Sequence, residues 1–382
     1  MNVSPVLRAT GAYPFVKLER ARQRLAAAGV ELVDFGKGDP MEATDPAIRQ
    51  ALADALAERM GYPLAEGLPE LREAISGWCS RRFGVELDPG TEIVPTYGSK
   101  EAIFLLAQVV VDRDSEKRLV LTTEPGYPVP ERGAAFAGAD VGQLPLLEAH
   151  GFLPDLDAVG ADTWARTAIV WINYPNNPTG AVAPLEFLTR LARLSSEHDF
   201  LVAADEAYTE LWFDEPPRSA LAVRQEGNVA VFNTLSKRSS MTGYRSGFVA
   251  ADEELIAALK QFRPSVGTAP QEFVQRASIV AWSDEAHVER TRAIYRRKRD
   301  ILLPVLQRKG IRVAGSVATM YLWLEVPNGE SSEEFAAGLL EHGLIVSPGS
   351  FFGAAGEGYW RLALVPSEDE CRRAAAIFDE IL

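Results

Sequence analysis

Short apolar runs alternate along the middle of the chain with longer stretches in which apolar positions recur every three or four residues. The short runs are RLVLTT (118–123), TAIVWIN (167–173), FLVAADE (200–206), VAVFNTL (229–235) and SGFVAA (246–251). They are apolar throughout rather than alternating, as expected of strands buried on both faces of a sheet. Helical patterns lie between them, for example KEAIFLLAQVVV after Ser99 and LEFLTRLARLSSEH after Pro184. Strand and helix in repetition predict a doubly wound α/β domain. After Pro270 the pattern becomes a long helix-rich stretch ending at Gly310, followed by strand-like MYLWLEV (320–326) and YWRLALV (359–365) and a final amphipathic helix from Glu368. That order predicts a smaller α+β domain. The resulting division is an N-terminal arm with part of the small domain over 1–44, a large domain over 45–275 and a small domain over 276–382.

Composition narrows the function classes. The 382 residues are 47% apolar and 24% charged, enough for sizeable cores, and the net charge is -14. A diffuse negative surface repels phosphate backbones, which argues against nucleic acid and anionic membranes as partners. Two cysteines, Cys79 and Cys371, give neither a disulfide framework nor a zinc site, and the four histidines are scattered singly, so no metal is expected. The start MNVSPVLRAT does not read as a signal peptide, and no apolar run is long enough for a membrane span. A cytoplasmic protein is the expectation.

Four segments carry candidate chemistry. In FNTLSKRSSMTGYRSGF (232–248), Lys237 follows an apolar strand and stands among Ser236, Ser239, Ser240, Thr242 and Arg245. A lone lysine is an ordinary surface charge, but this density of donors suits a phosphate dianion. A lysine beside a phosphate anchor suggests a Schiff-base lysine holding a phosphorylated aldehyde. In DEAY (205–208), Asp205 ends a predicted parallel strand, where such sheets bind ligands. It is either a helix cap or, with pyridoxal phosphate, the carboxylate that keeps the pyridine nitrogen protonated, with Tyr208 bonding the phenolic oxygen. In NYPNNPTG (173–180), two prolines and a glycine force an irregular turn that holds Asn177 at the same edge. In TYGSKEAIFLL (96–106), Gly98 and Ser99 open a helix whose free N–H groups form an anion site, unless Ser99 is a plain cap.

Taken in order, GKGDP (36–40), GYPLAEGLPELREAI (61–75), YGSKEAI (97–103), EPGYPVPERGA (124–134), YPNNPTG, DEAYTEL, SKRSSMTGYRSGF and YWRLALV resemble the class I/II aminotransferases, pyridoxal-phosphate enzymes of fold type I. The resemblance spans nearly the whole chain. It implies a large domain with a doubly wound, mostly parallel seven-stranded sheet, plus a smaller α+β domain. It implies that Lys237 bonds the cofactor's aldehyde carbon and then shuttles the substrate proton, for which its pKa must fall. Asp205 would pair with the pyridinium, Tyr208 and Asn177 would bond the phenolic oxygen, and Tyr127 would stack on the ring. Phosphate would be held by the helix start at Gly98, Ser99 and Lys100, by Thr234 and Ser236, and by Arg245. Tyr62 would reach the phosphate of a neighbouring subunit, which implies a homodimer with shared sites. Arg361, a charge inside an apolar strand, matches the arginine that pairs bidentately with the substrate α-carboxylate. Gly38 would offer its backbone to that carboxylate, and Tyr13 and Phe15 are either a lid over the substrate or core anchors of the arm.

The wording of the motifs is most similar to the succinyldiaminopimelate aminotransferases of lysine biosynthesis. This implies transfer between N-succinyl-LL-diaminopimelate and 2-oxoglutarate, both small molecules with a distal carboxylate that needs a second cation. Lys37, Lys100 and Arg263 are the candidates, each otherwise a solvated or supporting charge. A general alanine, aspartate or aromatic aminotransferase would keep every residue named, as would a carbon–sulfur lyase on the same fold. A dinucleotide-binding dehydrogenase lacks its GxGxxG opening, and a DNA-binding regulator has too short a head and the wrong charge.

Overall fold

The computed structural model describes residues 2–9, 22–24, 27, 29, 31–267 and 269–382. In chain order its strands are β1 (Val33–Asp34), β2 (Ile93–Thr96), β3 (Leu119–Glu124), β4 (Asp140–Pro145), β5 (Thr167–Asn173), β6 (Leu201–Asp205), β7 (Val229–Thr234), β8 (Gly247–Ala250), β9 (Val313–Gly315), β10 (Tyr321–Glu325), β11 (Leu344–Ile345), β12 (Ser347–Pro348) and β13 (Tyr359–Ala363). The longer helices are α1 (Pro46–Asp54), α2 (Pro69–Phe83), α3 (Gly98–Val110), α4 (Val129–Ala137), α5 (Leu185–His198), α6 (Glu253–Phe262), α7 (Glu272–Ser283), α8 (Ala286–Arg308), α9 (Ser332–Glu341) and α10 (Glu368–Ile381).

Seven strands form one sheet in the order β2-β8-β7-β6-β5-β3-β4. Only β8 runs against its neighbours; all other adjacent pairs are parallel. The fold is therefore α/β with a mostly parallel seven-stranded sheet, as the sequence pattern and the resemblance predict. The five central runs read from the sequence are all strands of it. The two edge strands were not read, for a physical reason. β2 is fully buried but only four residues long, and its run is broken by a proline and a threonine, whereas β4 is largely uncovered and needs no apolar run. β2 carries Pro95, which an edge tolerates because one side of the ladder is unpaired. β4 reads DVGQLP and has only one buried residue, Leu144.

Both sheet faces are covered. On one face Val170, Ile172, Val202, Val231 and Phe248 pack with Ile75, Trp78, Leu188, Leu191, Ala277 and Trp282 of α2, α5 and α7. On the other, Val120, Ile169, Ala203, Ala230 and Val249 pack with Ile103, Leu106, Ile256 and Leu259 of α3 and α6. A separate core fills an antiparallel sheet of order β12-β13-β10-β9, where Leu322, Leu324, Trp360 and Leu362 meet Tyr295, Leu302 and Leu306 of α8 and Phe378 of α10. β1 pairs in parallel with β11, and Phe35 just beyond it joins this second core. The segment after β6 does the same through Ala207, Tyr208 and Leu211. The two bodies therefore meet beyond the carboxyl ends of β5, β6 and β7.

Candidate functional site

Sheet register decides which side chains meet. Asn173 pairs with Asp205 at the ends of β5 and β6, and Thr234 at the end of β7 pairs with Gly247, the first residue of the reversed β8. Gly247 also pairs with Thr96, the last residue of β2. The turns leaving these strands thus open on one edge, and they line a cavity of about 400 Å³ together with residues of the second body. Of the residues predicted for the site, Ser99, Lys100, Tyr127, Asn177, Asp205, Tyr208, Thr234, Ser236, Lys237 and Arg245 line it from the sheet side. Gly38, Lys37 and Arg361 line it from the other.

At one end of the cavity donors converge. Ser99 and Lys100 lie in the first turn of α3, whose N-terminal N–H groups have no partners within the helix. Arg245 reaches across to them, its Nη2 donating to the Tyr97 carbonyl at 3.0 Å and its Nη1 to the Thr242 carbonyl at 2.9 Å. The approach is possible because residue 98 is glycine, at φ +70°: a Cβ there would stand 2.7 Å from Arg245 Nη2. Thr234 and Ser236 hydroxyls are 2.9 Å apart, and Thr234 accepts from the Ser236 N–H.

Toward the sheet centre the cavity holds buried ionisable groups. Asp205 accepts from the Ala207 N–H at 3.2 Å, and Asn173 braces it by donating to its carbonyl at 2.8 Å. Burial pushes the Asp205 carboxyl up to about 7, against the Ala207 hydrogen bond and the Lys237 charge, which act the other way. Lys237 Nζ donates to the Gly38 carbonyl at 2.5 Å. Burial chiefly brings its amine down to about 8, opposed by Asp39 and assisted by Arg361 and Arg245. The Tyr208 phenol is held well above its ordinary range, by burial first and by its hydrogen-bonded pairing with Tyr321. Lys100 is lowered by burial and by the charges of Arg245 and Arg132.

At the far side stands Arg361, 2% exposed in the middle of β13. Its Nη1 donates to Asn177 Oδ1 at 2.9 Å, and its Nη2 donates to the Gly36 carbonyl at 2.7 Å and to Ser347 Oγ at 3.3 Å. The guanidinium lies 4.2 Å from the Tyr321 ring centroid and 4.7 Å from that of Phe352. Tyr321 Oη is in turn 2.9 Å from Tyr208 Oη. It lies so close to residue 38 that a Cβ on Gly38 would fall 2.0 Å from it.

Among the residues of this arrangement missed by sequence reasoning are Asn173, Tyr321, Ser347 and Phe352. Asn173 opens the motif that identified Asn177, and its Oδ1 accepts from the Asn177 N–H at 2.8 Å. Tyr321 stands in a run that reads as core strand, and Phe352 in a loop without a motif. One candidate requires correction. Arg263 does not line the cavity; it is 2% exposed and its Nη1 donates to both Glu101 oxygens, at 2.9 and 3.0 Å. It is an internal ion pair, because a buried guanidinium needs a carboxylate more than a solvated one does. Tyr62 is 98% exposed and lies outside this chain's own cavity. Tyr13 and Phe15 lie outside the described residues.

The family profile described as aminotransferase class I and II matches residues 30–378. An LL-diaminopimelate aminotransferase of Nitratidesulfovibrio vulgaris is 39% identical over 359 residues, 92% of this chain and 92% of that one. A solved aspartate aminotransferase double mutant from Thermus thermophilus has a TM-score of 0.92 at 32% identity, covering 100% of both chains. A structure described as a probable N-succinyldiaminopimelate aminotransferase, also from Thermus thermophilus, has a TM-score of 0.88 at 30% identity, covering 96% of this chain and 100% of that one.

Proposed function

The chain belongs to the class I and II aminotransferases, pyridoxal-phosphate enzymes, and from that premise we propose that it moves an amino group from a diaminopimelate-type donor to 2-oxoglutarate. The cavity suits the cofactor. One end offers a glycine-backed helix N-terminus, two hydroxyls and Arg245 for a phosphate, the centre offers the Lys237 amine, and the sheet edge offers a buried carboxyl lacking a full counter-charge. Bound there, the cofactor supplies an aldehyde carbon and an electron-withdrawing pyridine ring.

The protein's own contribution follows from the geometry. Ser99, Lys100, Thr234, Ser236 and Arg245 would anchor the phosphate and thereby fix the ring's position. Asp205, once it has a cationic nitrogen beside it, would ionise and hold that nitrogen protonated. Tyr208 and Asn177 would hydrogen-bond the phenolic oxygen, and Tyr127 would cover the ring face. Arg361 would take the substrate α-carboxylate in its fork, with the backbone at Gly38 beside it. Lys237 would accept the α-proton at Nζ and return it at the neighbouring carbon. An amine lowered to about 8 is suited to that exchange, since near neutral pH it both loses and regains a proton readily. This placement of the Lys237 amine between a buried carboxyl and a buried guanidinium carries the reading. Tyr62, exposed on this chain, is proposed to complete the phosphate site of a second copy, making a homodimer.

The free diamino acid is put ahead of its N-succinyl form because the relative named for LL-diaminopimelate is 39% identical over 92% of the chain, whereas the neighbour named for the succinyl form shares 30%. The likeness to an aspartate aminotransferase supports a second reading, a shorter dicarboxylic donor. The test is a comparison of amino transfer to 2-oxoglutarate from LL-diaminopimelate, N-succinyl-LL-diaminopimelate and aspartate, followed as glutamate formed. The proposal expects LL-diaminopimelate to give the highest kcat/KM by at least about tenfold, the value of roughly 1.4 kcal/mol of differential binding. A preference for either competitor would overturn the substrate assignment and leave the family intact.

A further inference from the structure

We infer that Arg238 and Glu285 form a positioning pair for Lys237, set at the joint between the helix that belongs to the large core and the helix that belongs to the small one. The inference rests on the role given to Lys237 above. Lys237 is the third residue of a one-turn helix, Leu235–Arg238. Four residues do not hold a helix by their own hydrogen bonds, so the direction of the lysine depends on what grips its neighbours.

Each of the three residues that follow the lysine is tied to a distant segment. Arg238 Nη1 donates to the Ala281 carbonyl at 2.7 Å, and its Nη2 donates to both Glu285 oxygens, at 2.9 and 3.0 Å. Its guanidinium is 4.7 Å from the Trp282 ring centroid and 5.3 Å from that of Trp78. Ser239 Oγ is 2.8 Å from His287 Nε2, and His287 Nδ1 is 2.9 Å from Asp284 Oδ2. The Ser240 carbonyl accepts from Thr44 Oγ1 at 2.7 Å. The serine, histidine and aspartate stand in the order of a hydrolytic triad. Yet Ser239 and His287 are 2% and 4% exposed and do not line the cavity, so this is a tether and not a nucleophile.

The segment that does the gripping is where the chain crosses between the two bodies. α7 ends at Ser283 and α8 starts at Ala286. α7 places Ala277, Ala281 and Trp282 in the large core, while α8 places Tyr295, Leu302 and Leu306 in the small one. Asp284 and Glu285 alone make the turn between them. A displacement of α8 relative to the sheet therefore acts on Glu285, which holds Arg238, and on His287, which holds Ser239, next to the lysine. Arginine suits the position because its two terminal nitrogens divide the task, Nη2 reaching the Glu285 carboxylate and Nη1 the Ala281 carbonyl, while the guanidinium lies over the two indoles.

The test uses the full chain with Glu285→Gln, which keeps the shape and one acceptor but removes the charge, and Ser239→Ala. Three quantities are read: kcat and KM in the loaded enzyme, the melting temperature, and the acetylation rate of Lys237 in cofactor-free protein. Acetylation is followed by peptide mass spectrometry, with Lys117 as a surface reference. Positioning predicts that kcat falls by at least about tenfold in Glu285→Gln while KM stays within about twofold, since misplacing a reacting group by about 1 Å costs up to 10²-fold. It also predicts a change of about threefold or more in Lys237 acetylation, equal to about half a pKa unit, with Lys117 unchanged. A lowered melting temperature with wild-type kcat and wild-type Lys237 acetylation would overturn it, leaving Arg238 and Glu285 a brace of the core. If Glu285→Gln does not fold, Glu285→Asp, which keeps the charge but shortens its reach to Arg238, decides by the same readings, and Ser239→Ala serves as a control that leaves the pair intact. Lys237→Ala separates the two levels of the argument. Turnover retained in that variant removes the role of the lysine itself, whereas its loss together with a wild-type Glu285→Gln removes only the positioning pair.

Discussion

Replacing Asp205 by Asn should stabilise the cofactor-free protein, and by an amount that depends on pH. The Asp205 carboxyl is buried and raised to about 7 from an ordinary value of 3.8, with burial as the leading cause. The folded state therefore binds this proton more tightly than the unfolded chain does, so ionisation works against folding. The cost is absent below about pH 4, accumulates as pH rises from about 4 to 7, and is constant above that. A shift of about three units at roughly 1.4 kcal/mol each gives about 4 kcal/mol at pH 8, falling to below about 1 kcal/mol at pH 4. Asn is isosteric and its carbonyl still accepts from the Ala207 N–H, so little else changes. Chemical denaturation of the cofactor-free wild type and variant, from pH 5 to 8, measures the difference. Adding pyridoxal phosphate should reverse the order, because only the carboxylate gains from a cationic pyridine nitrogen. A variant less stable than wild type at pH 8, or a difference that does not change with pH, would refute the reasoning and show that Lys237 already compensates the carboxylate in full.

Two further substitutions probe the opposite wall. Arg361→Lys keeps the charge but loses the fork that meets Asn177 and Gly36; kcat/KM should fall about 10²-fold for every amino donor, about 3 kcal/mol of charge-assisted bonding, with an unchanged circular dichroism spectrum. A similar loss for one donor only would place the α-carboxylate elsewhere. Tyr321→Phe keeps the ring on Arg361 but leaves the Tyr208 hydroxyl without its partner at 2.9 Å. The cofactor-free protein should lose about 1–2 kcal/mol, and the loaded enzyme less, because there Tyr208 has the cofactor's phenolic oxygen to bond. Equal losses in both forms would mean that Tyr208 does not turn to the cofactor.

What the sequence made legible follows from burial. The five central strands are covered on both faces and show as unbroken apolar runs, whereas β2 and β4 at the edges carry Pro95, Gly142 and Gln143 and show no such run. Lys237, Asp205 and Asn177 were legible because each sits in a turn whose composition is unusual for a plain connection. Arg361 was legible because a charge in an apolar strand must have a partner. Arg263 was named only as one candidate cation for a distal carboxylate, and its actual partner Glu101 lies 162 residues away in the sequence and is brought to it only by the packing of the fold. Tyr321 and Phe352 were invisible for the converse reason. Aromatic residues in or near a strand are the ordinary stuff of a core, and nothing in the local sequence says that their faces lie against Arg361.

The two ends of the cavity are prepared differently, and the difference has a physical sense. Arg361 is held before any substrate arrives: two carbonyl oxygens, one hydroxyl and two aromatic faces fix its fork, so little ordering remains to be done when a carboxylate binds. Asp205 and Lys237 are the reverse. Burial shifts the acid up to about 7 and the amine down to about 8, so each lies close to losing its charge, and their mutual attraction does not offset the desolvation of either. A cofactor with a basic ring nitrogen gives the acid the counter-charge it lacks. The carboxyl that destabilises the empty fold then contributes to holding the cofactor, and its contribution is largest above pH 7, where the empty site bears its full cost. A substrate that comes and goes in every turnover meets a group already in place, whereas a resident cofactor is drawn in by one that is not.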